Sequence, residues 1–163
     1  MSTANSKLTA VHLRWQPWAV AVAGVLIWSC CEQVALADIH HAQGEMAGEV
    51  TSTSSLLQSR LTAIPGPTLD DNGDVPGIAG VACFEWCETD GCSTPERTEW
   101  LHATADSDYI VRAVLTGLRP GQRYYYRLVY GPDREHTQTG PQRQFRTLPA
   151  VTADEPLSFC MGS

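Results

Sequence analysis

From Gly48 onward the chain alternates apolar and polar residues in short runs, broken every few positions by Pro, Gly, Asp and Asn. A period of two places successive side chains on opposite faces, so these runs predict strands. In "EVTSTSSLLQSRLTA", Leu57, Ser59 and Leu61 share a face. In "GVACFEW", Ala82, Phe84 and Trp86 point one way, Cys83 and Glu85 the other. "EWLHATA" is a weaker strand and "DYIVRAVL" a strong one, rich in β-branched residues. "QRYYYRLVY" and "QRQFRTL" complete the series, with "PGPTLDDNGDVPG" and "GPDREHTQTGP" as loops. No amphipathic helix and no solenoid-length repeat interrupts them. About seven short strands over about 100 residues predict an all-β domain, an antiparallel β-sandwich, with a β-barrel as the alternative.

One connection is more specific. In "LTGLRPGQRYYYRLVYG" a strand ends at Leu115, Leu118 plugs the core, Pro120-Gly121 turns the chain, and Tyr124 enters the next strand. A tyrosine there can bond its hydroxyl to the backbone a few residues upstream and pin the crossover between sheets. Alternation then sends Tyr124, Tyr126, Leu128 and Tyr130 inward, and Tyr125, Arg127 and Val129 outward. An aromatic binding platform is the competing reading of this run, and the single outward tyrosine argues against it.

The start of the chain follows another pattern. Lys7, His12 and Arg14 precede an apolar run from Trp18 to Trp28, and "ALAD" follows. A basic start, a short apolar run and an Ala-x-Ala site describe a signal peptide, residues 1–37, cut before Asp38. An uncleaved anchor and a lipoprotein acylated at Cys30 are the alternatives. Cleavage predicts a secreted or periplasmic protein with no stable membrane anchor. Residues 38–47 are polar and unpatterned and read as a flexible leader.

Past residue 37 the chain holds nine Arg, no Lys and seventeen Asp plus Glu, a net charge of −8. That balance excludes a nucleic-acid backbone and an anionic membrane surface as partners. Four Cys remain: Cys83, Cys87, Cys92 and Cys160. Cys87 and Cys92 flank the turn-forming "ETDG", so in an oxidising compartment a disulfide between them is expected. Buried free thiols and a metal site are the alternatives, although the spacing fits no zinc pattern. The partners of Cys83 and Cys160 stay open.

No nucleophile elbow, phosphate loop, zinc-protease motif or dinucleotide fingerprint is present. His102 and His136 read as surface imidazoles. "DDNGD" spaces Asp70, Asn72 and Asp74 like the start of a calcium loop, but Val81 stands where its Glu belongs. A mature terminus Asp38-Ile39-His40 would have the groups for a square-planar copper chelate. On the residues alone, then, no catalytic or metal-binding residue is assigned.

"GEVTSTSSLLQSRLTA", "ADSDYIVRAVLTGLRPGQRYYYRLVYG", "QFRTLP" and "PLSFCMGS", in this order, resemble the N-terminal part of PhoD-like alkaline phosphatases (alkaline phosphatase D). The resemblance covers nearly all of residues 48–163. The Leu-Arg-Pro-Gly corner alone is shared with fibronectin type III domains. The opening departs from the commonest one of the family, which carries Gly-Asp and a Trp before its Arg-Leu. The resemblance implies a fibronectin type III-like domain over 48–147 and a linker over 148–156. Residues 157–163 would be the first strand of a metallophosphoesterase domain that this chain lacks. In that family the catalytic domain hydrolyses phosphate mono- or diesters with iron and calcium, and a Ser-Cys at the end of its first strand supplies an iron ligand. Cys160 lies inside the strand, so that role is not carried onto it. The partner implied is the catalytic domain in cis, and the fragment is expected to be inactive without it. A stand-alone secreted fibronectin-type binding module and a small hydrolase are the alternative functions.

Overall fold

The structure is a computed structural model that describes residues 38–91, 93–154 and 156. The chain divides into two units, Met1–Val34 and Ala35–Ser163, and all described residues belong to the second. The expected signal peptide, the strand over 157–163 and Cys92 lie outside the described residues. Among the described residues, no helix is long and apolar enough to cross a membrane.

Among the described residues, nine strands form two antiparallel sheets. Strands β1 (Glu45–Gly48), β2 (Ser54–Arg60) and β6 (Ile110–Thr116) make a three-stranded sheet in the order β1-β2-β6. The second sheet has β3 (Gly80–Cys87) and β7 (Arg123–Gly131) at its centre. On β3 pair β4 (Glu96–Arg97) and β5 (Leu101–Ala103), and on β7 pair β8 (Gln138–Thr139) and β9 (Arg143–Arg146). A 3-10 turn, Ala105–Ser107, precedes β6. The inner faces meet in one core that includes Leu57, Leu61, Phe84, Val111, Leu118, Tyr124, Tyr126, Leu128 and Phe145. Their apolar surface, removed from water, is the main driving force for the sandwich.

β2 alternates as its sequence predicts, with Ser55, Leu57 and Ser59 buried. So do the inward positions of β7, where Tyr124, Tyr126, Leu128 and Tyr130 are all at most 5% exposed. β3 does not alternate. Cys83 and Glu85, expected on an outward face, are buried like Phe84, and so is Val129 opposite Cys83 on β7. Over Glu85 the cover comes from longer neighbours: Arg97 on β4 and Arg127 on β7 both pair with it.

Two boundaries also move. Residues 38–47 are not a free leader: Ile39 is 2% exposed in the core, His40 bridges Thr62, and β1 begins at Glu45. Their polar composition concealed this because Ile39 is the one large apolar side chain from Asp38 to Gly44, and the rest of the segment is held by backbone and ionic contacts. At the other end the linker gives up Leu148, whose N–H donates to Thr51 O at 3.0 Å and whose carbonyl accepts from Gly121 N–H at 2.9 Å. β4 and β8, two residues each, were not foreseen in the loops that contain them.

Candidate functional site

The corner between β6 and β7 is the most elaborated connection. Leu118 is 3% exposed and its N–H donates to Thr53 O at 3.0 Å. Pro120 fixes the entry to the turn, and Gly121 takes φ +66°, a left-handed conformation that costs a side-chain-bearing residue energy. The Tyr124 hydroxyl accepts the Arg119 N–H at 2.8 Å, five residues upstream. Its ring stacks on Phe145 at 5.5 Å and meets the edge of Trp86 at 5.7 Å. The Thr147 hydroxyl donates to Arg119 O at 2.6 Å and accepts the Gln122 N–H at 2.9 Å. Sheet-to-sheet crossing and chain exit at Leu148 are therefore held by one network of hydrogen bonds.

The β3–β4 turn lies beside this corner. Glu88 pairs with Arg119, and Asp90 Oδ1 accepts Gln142 Nε2–H at 2.6 Å. Cys87 Sγ lies 3.1 Å from Thr89 O, at the start of the turn. Cys83, far along the strand, is a buried free thiol, and burial pushes its pKa up.

Two buried carboxylates were missed in the sequence. Glu85 accepts Arg127 Nε–H at 2.8 Å and also bonds Arg97. Burial pushes its pKa up, but the two guanidiniums outweigh that and hold it below the ordinary value. Glu45, its side chain without exposed surface, lies 2.9 Å from His41 Nδ1 and accepts Arg143 Nε–H at 3.1 Å. Burial raises its pKa as well, and His41 and Arg143 more than offset this. Glu45 in turn adds to the burial that pushes the Tyr126 hydroxyl up to about 12. The only sequence signal for Glu85 was a charge in the middle of an apolar strand. Glu45 had none, because its partners come from distant positions.

The remaining candidates occupy ordinary polar turns. Asp70 Oδ1 accepts the N–H groups of Asp74 at 2.8 Å and Asn72 at 2.9 Å, which lowers its pKa. His136 Nδ1 lies 2.9 Å from the Asp133 carboxylate on an exposed loop, and His102 is exposed on β5. The Asp38-Ile39-His40 chelate is opposed by the fold: the His40 amide donates to Thr62 O at 2.9 Å, and Ile39 is in the core. Among the described residues, no three His, Cys, Asp or Glu side chains are grouped to hold a metal. What this arrangement does is positional: it fixes how the chain crosses between sheets and where it leaves.

Two antiparallel sheets joined through such a corner define a fibronectin type III-like sandwich. A fibronectin type III domain derived from human KIAA0970 protein superposes with a TM-score of 0.50 at 11% identity, over 78% of this chain and 86% of its own, which speaks for the fold alone. Residues 23–149 match the family described as PhoD-like phosphatase, N-terminal domain, and the chain belongs to that family. A solved structure of PhoD is similar at 27% identity and a TM-score of 0.55, over 71% of this chain. The chain spans 20% of the length of that PhoD chain. No match is found among curated proteins.

Proposed function

We propose that this sandwich is the non-catalytic N-terminal domain of an exported PhoD-like phosphatase, whose hydrolysis of phosphate mono- or diesters takes place in a separate domain. The observation that carries the reading is the family match across the whole sandwich, together with the fifth of a PhoD chain that it accounts for. Export, by the leader over residues 1–37, is part of the proposal. So is the Cys87–Cys92 bond, which would close the turn beside the corner and belongs to an oxidising compartment.

Iron and calcium belong, in this reading, to the catalytic domain. Among the described residues the two buried carboxylates are committed to arginines. Metal-assisted phosphoester hydrolysis requires several convergent ligands, and the described part of the sandwich offers no such set. The role assigned to the sandwich is to hold the chain entering the catalytic domain, through the ties of Thr147 and Leu148 to the corner.

The test is an assay of the purified chain with aryl phosphate mono- and diesters, iron and calcium supplied. Background rates are expected. Metal-dependent turnover by this chain would contradict the reading.

A further inference from the structure

At one edge of the sandwich the two sheets meet without pairing. Among the described residues β1 bonds only to β2 and β9 only to β7, yet Cα atoms of β1 and β9 come within 8 Å of each other. Side chains span the gap: Arg143 Nε–H donates to Glu45 Oε2 at 3.1 Å. Beside this bridge opens a recess of about 590 Å³, within the size range of small-ligand sites. Tyr126 marks it. The Tyr126 ring is core, 3% exposed, and packs on Phe84 and Phe145. Its hydroxyl has no hydrogen-bond partner among the described residues and lines the recess beside Glu45 and Arg143. A phenylalanine would fill the core equally well, so the hydroxyl is a donor that the fold itself does not use. Burial and the Glu45 charge push its pKa up to about 12, which keeps that donor protonated at neutral pH.

The lining selects the ligand. The Arg143 charge is matched by Glu45, and the one other formal charge on the lining is Asp90, so an anion meets no net positive field. A wholly apolar ligand would strand the polar groups without water. An inserted peptide strand needs two ladder spacings, about 9.6 Å, between the strands that flank it, and β1 and β9 are closer than that. A neutral molecule that both gives and takes hydrogen bonds fits all three limits. Arg143 keeps its terminal amino groups for it, because only Nε is engaged by Glu45. Gln142 gives Nε2–H to Asp90 and keeps Oε1 as an acceptor, while Gln144 accepts from Arg123 and keeps its amide N–H groups. Tyr125, whose ring faces outward, adds an aromatic wall. We propose that this recess binds a neutral, hydroxyl-rich ligand, one or two sugar rings of a glycan. Tyr126 and Arg143 donate to its hydroxyls, Gln142 accepts from them, and the Tyr125 ring lies against a C–H face of the sugar. The site stands on this edge of the sandwich alone and does not depend on the phosphatase reading.

The test follows backbone amide resonances of the isotope-labelled whole chain, kept in a detergent without a sugar headgroup. The probes are cellobiose, maltose and N,N′-diacetylchitobiose, with glucuronate as the anionic probe and tetraglycine as the peptide probe. Saturable shifts at Tyr125, Tyr126 and residues 142–144 are expected with at least one of the neutral disaccharides. Tyr126→Phe, which keeps the ring in the core, should weaken that binding about tenfold, as should Gln142→Ala at an exposed position that the fold tolerates. Arg112→Ala, on the outer face of the three-stranded sheet, should leave it unchanged. No saturable shift at these residues with any of the three disaccharides would overturn the proposal. So would undiminished binding in both Tyr126→Phe and Gln142→Ala. Tighter binding of glucuronate than of the disaccharides would contradict a neutral ligand, and a response to tetraglycine alone would assign the recess to a peptide instead.

Discussion

The two sheets manage their outer faces differently. On the three-stranded sheet the outward side chains are left in water: Val114 is 64% and Met46 56% exposed. On the larger sheet Val81, Cys83, Glu85 and Val129 occupy the outward parity, yet all are at most 7% exposed. At Glu85 the difference lies in what crosses above it. β4 and β7 supply Arg97 and Arg127, whose guanidiniums converge on Glu85, while Arg97 and Arg134 approach the Trp100 ring at 6.0 and 5.9 Å. Long arginine stems cover apolar surface and leave their charges near water. An outward position is therefore solvent-exposed only where no long neighbour reaches it.

The sharpest way to break this comparison is to place the same charge on both outer faces. Val129→Asp buries an unpaired carboxylate on the large sheet and should cost about 3–5 kcal/mol. Val114→Asp, on open surface, should change stability by less than about 0.5 kcal/mol. Urea melts of the two variants read this directly, and equal effects would abolish the distinction between the sheets.

Next in size is the tyrosine pair on β7. Tyr124→Phe removes only the acceptor of the Arg119 N–H and should cost about 1–3 kcal/mol. Tyr125→Phe, whose ring faces outward, should cost almost nothing. Reversed values in the same melts would mean that the parity of β7 is misassigned.

Glu85 offers a pH test of the arginine cover, and Glu45 a companion at the junction of β1 with β9. Both carboxyls are held below their ordinary value of 4.5. A lowered folded pKa contributes stability that is complete above the unfolded value and lost as pH falls through the folded one. Stability should thus be level from neutral pH down to about 5 and should fall below about 4.5. Glu85→Gln should shrink that fall, with Glu45→Gln acting independently because their partners are not shared. An unchanged acid limb in both variants would remove the ion pairs from the account. The smallest effect is expected at Arg119→Ala. It breaks an exposed pair with Glu88 and should cost less than about 1 kcal/mol.

The thin sheet and the inner face of β7 were legible in the sequence because alternation reports burial wherever only one face is covered. Leu57 and Ser59 on β2, and Tyr124 to Tyr130 on β7, follow that rule. Cys83 and Glu85 did not; for Glu85 the cover comes from Arg97 and Arg127, and a sheet register is needed to see them meet. The edge at 38–48 was illegible for a related reason. His41, Glu45 and Arg143 look like three surface residues until β1 and β9 are brought side by side. The corner at Leu118–Tyr124 stood out because its signal is local: a plug, a turn and a tyrosine within seven residues. Two-residue strands such as β4 and β8 carry no periodicity at all.

In the function proposed above, the sandwich is complete at the corner network and the residues beyond it serve another domain. Thermal melting of residues 38–149 against residues 38–163 tests this most directly. Cutting after Pro149 keeps both bonds of Leu148, to Thr51 and Gly121. The account predicts melting temperatures within about 2 °C of each other, less than 1 kcal/mol would produce in a domain of this size. A drop of about 8 °C or more in the shorter chain would contradict it and place residues 150–163 inside the sandwich.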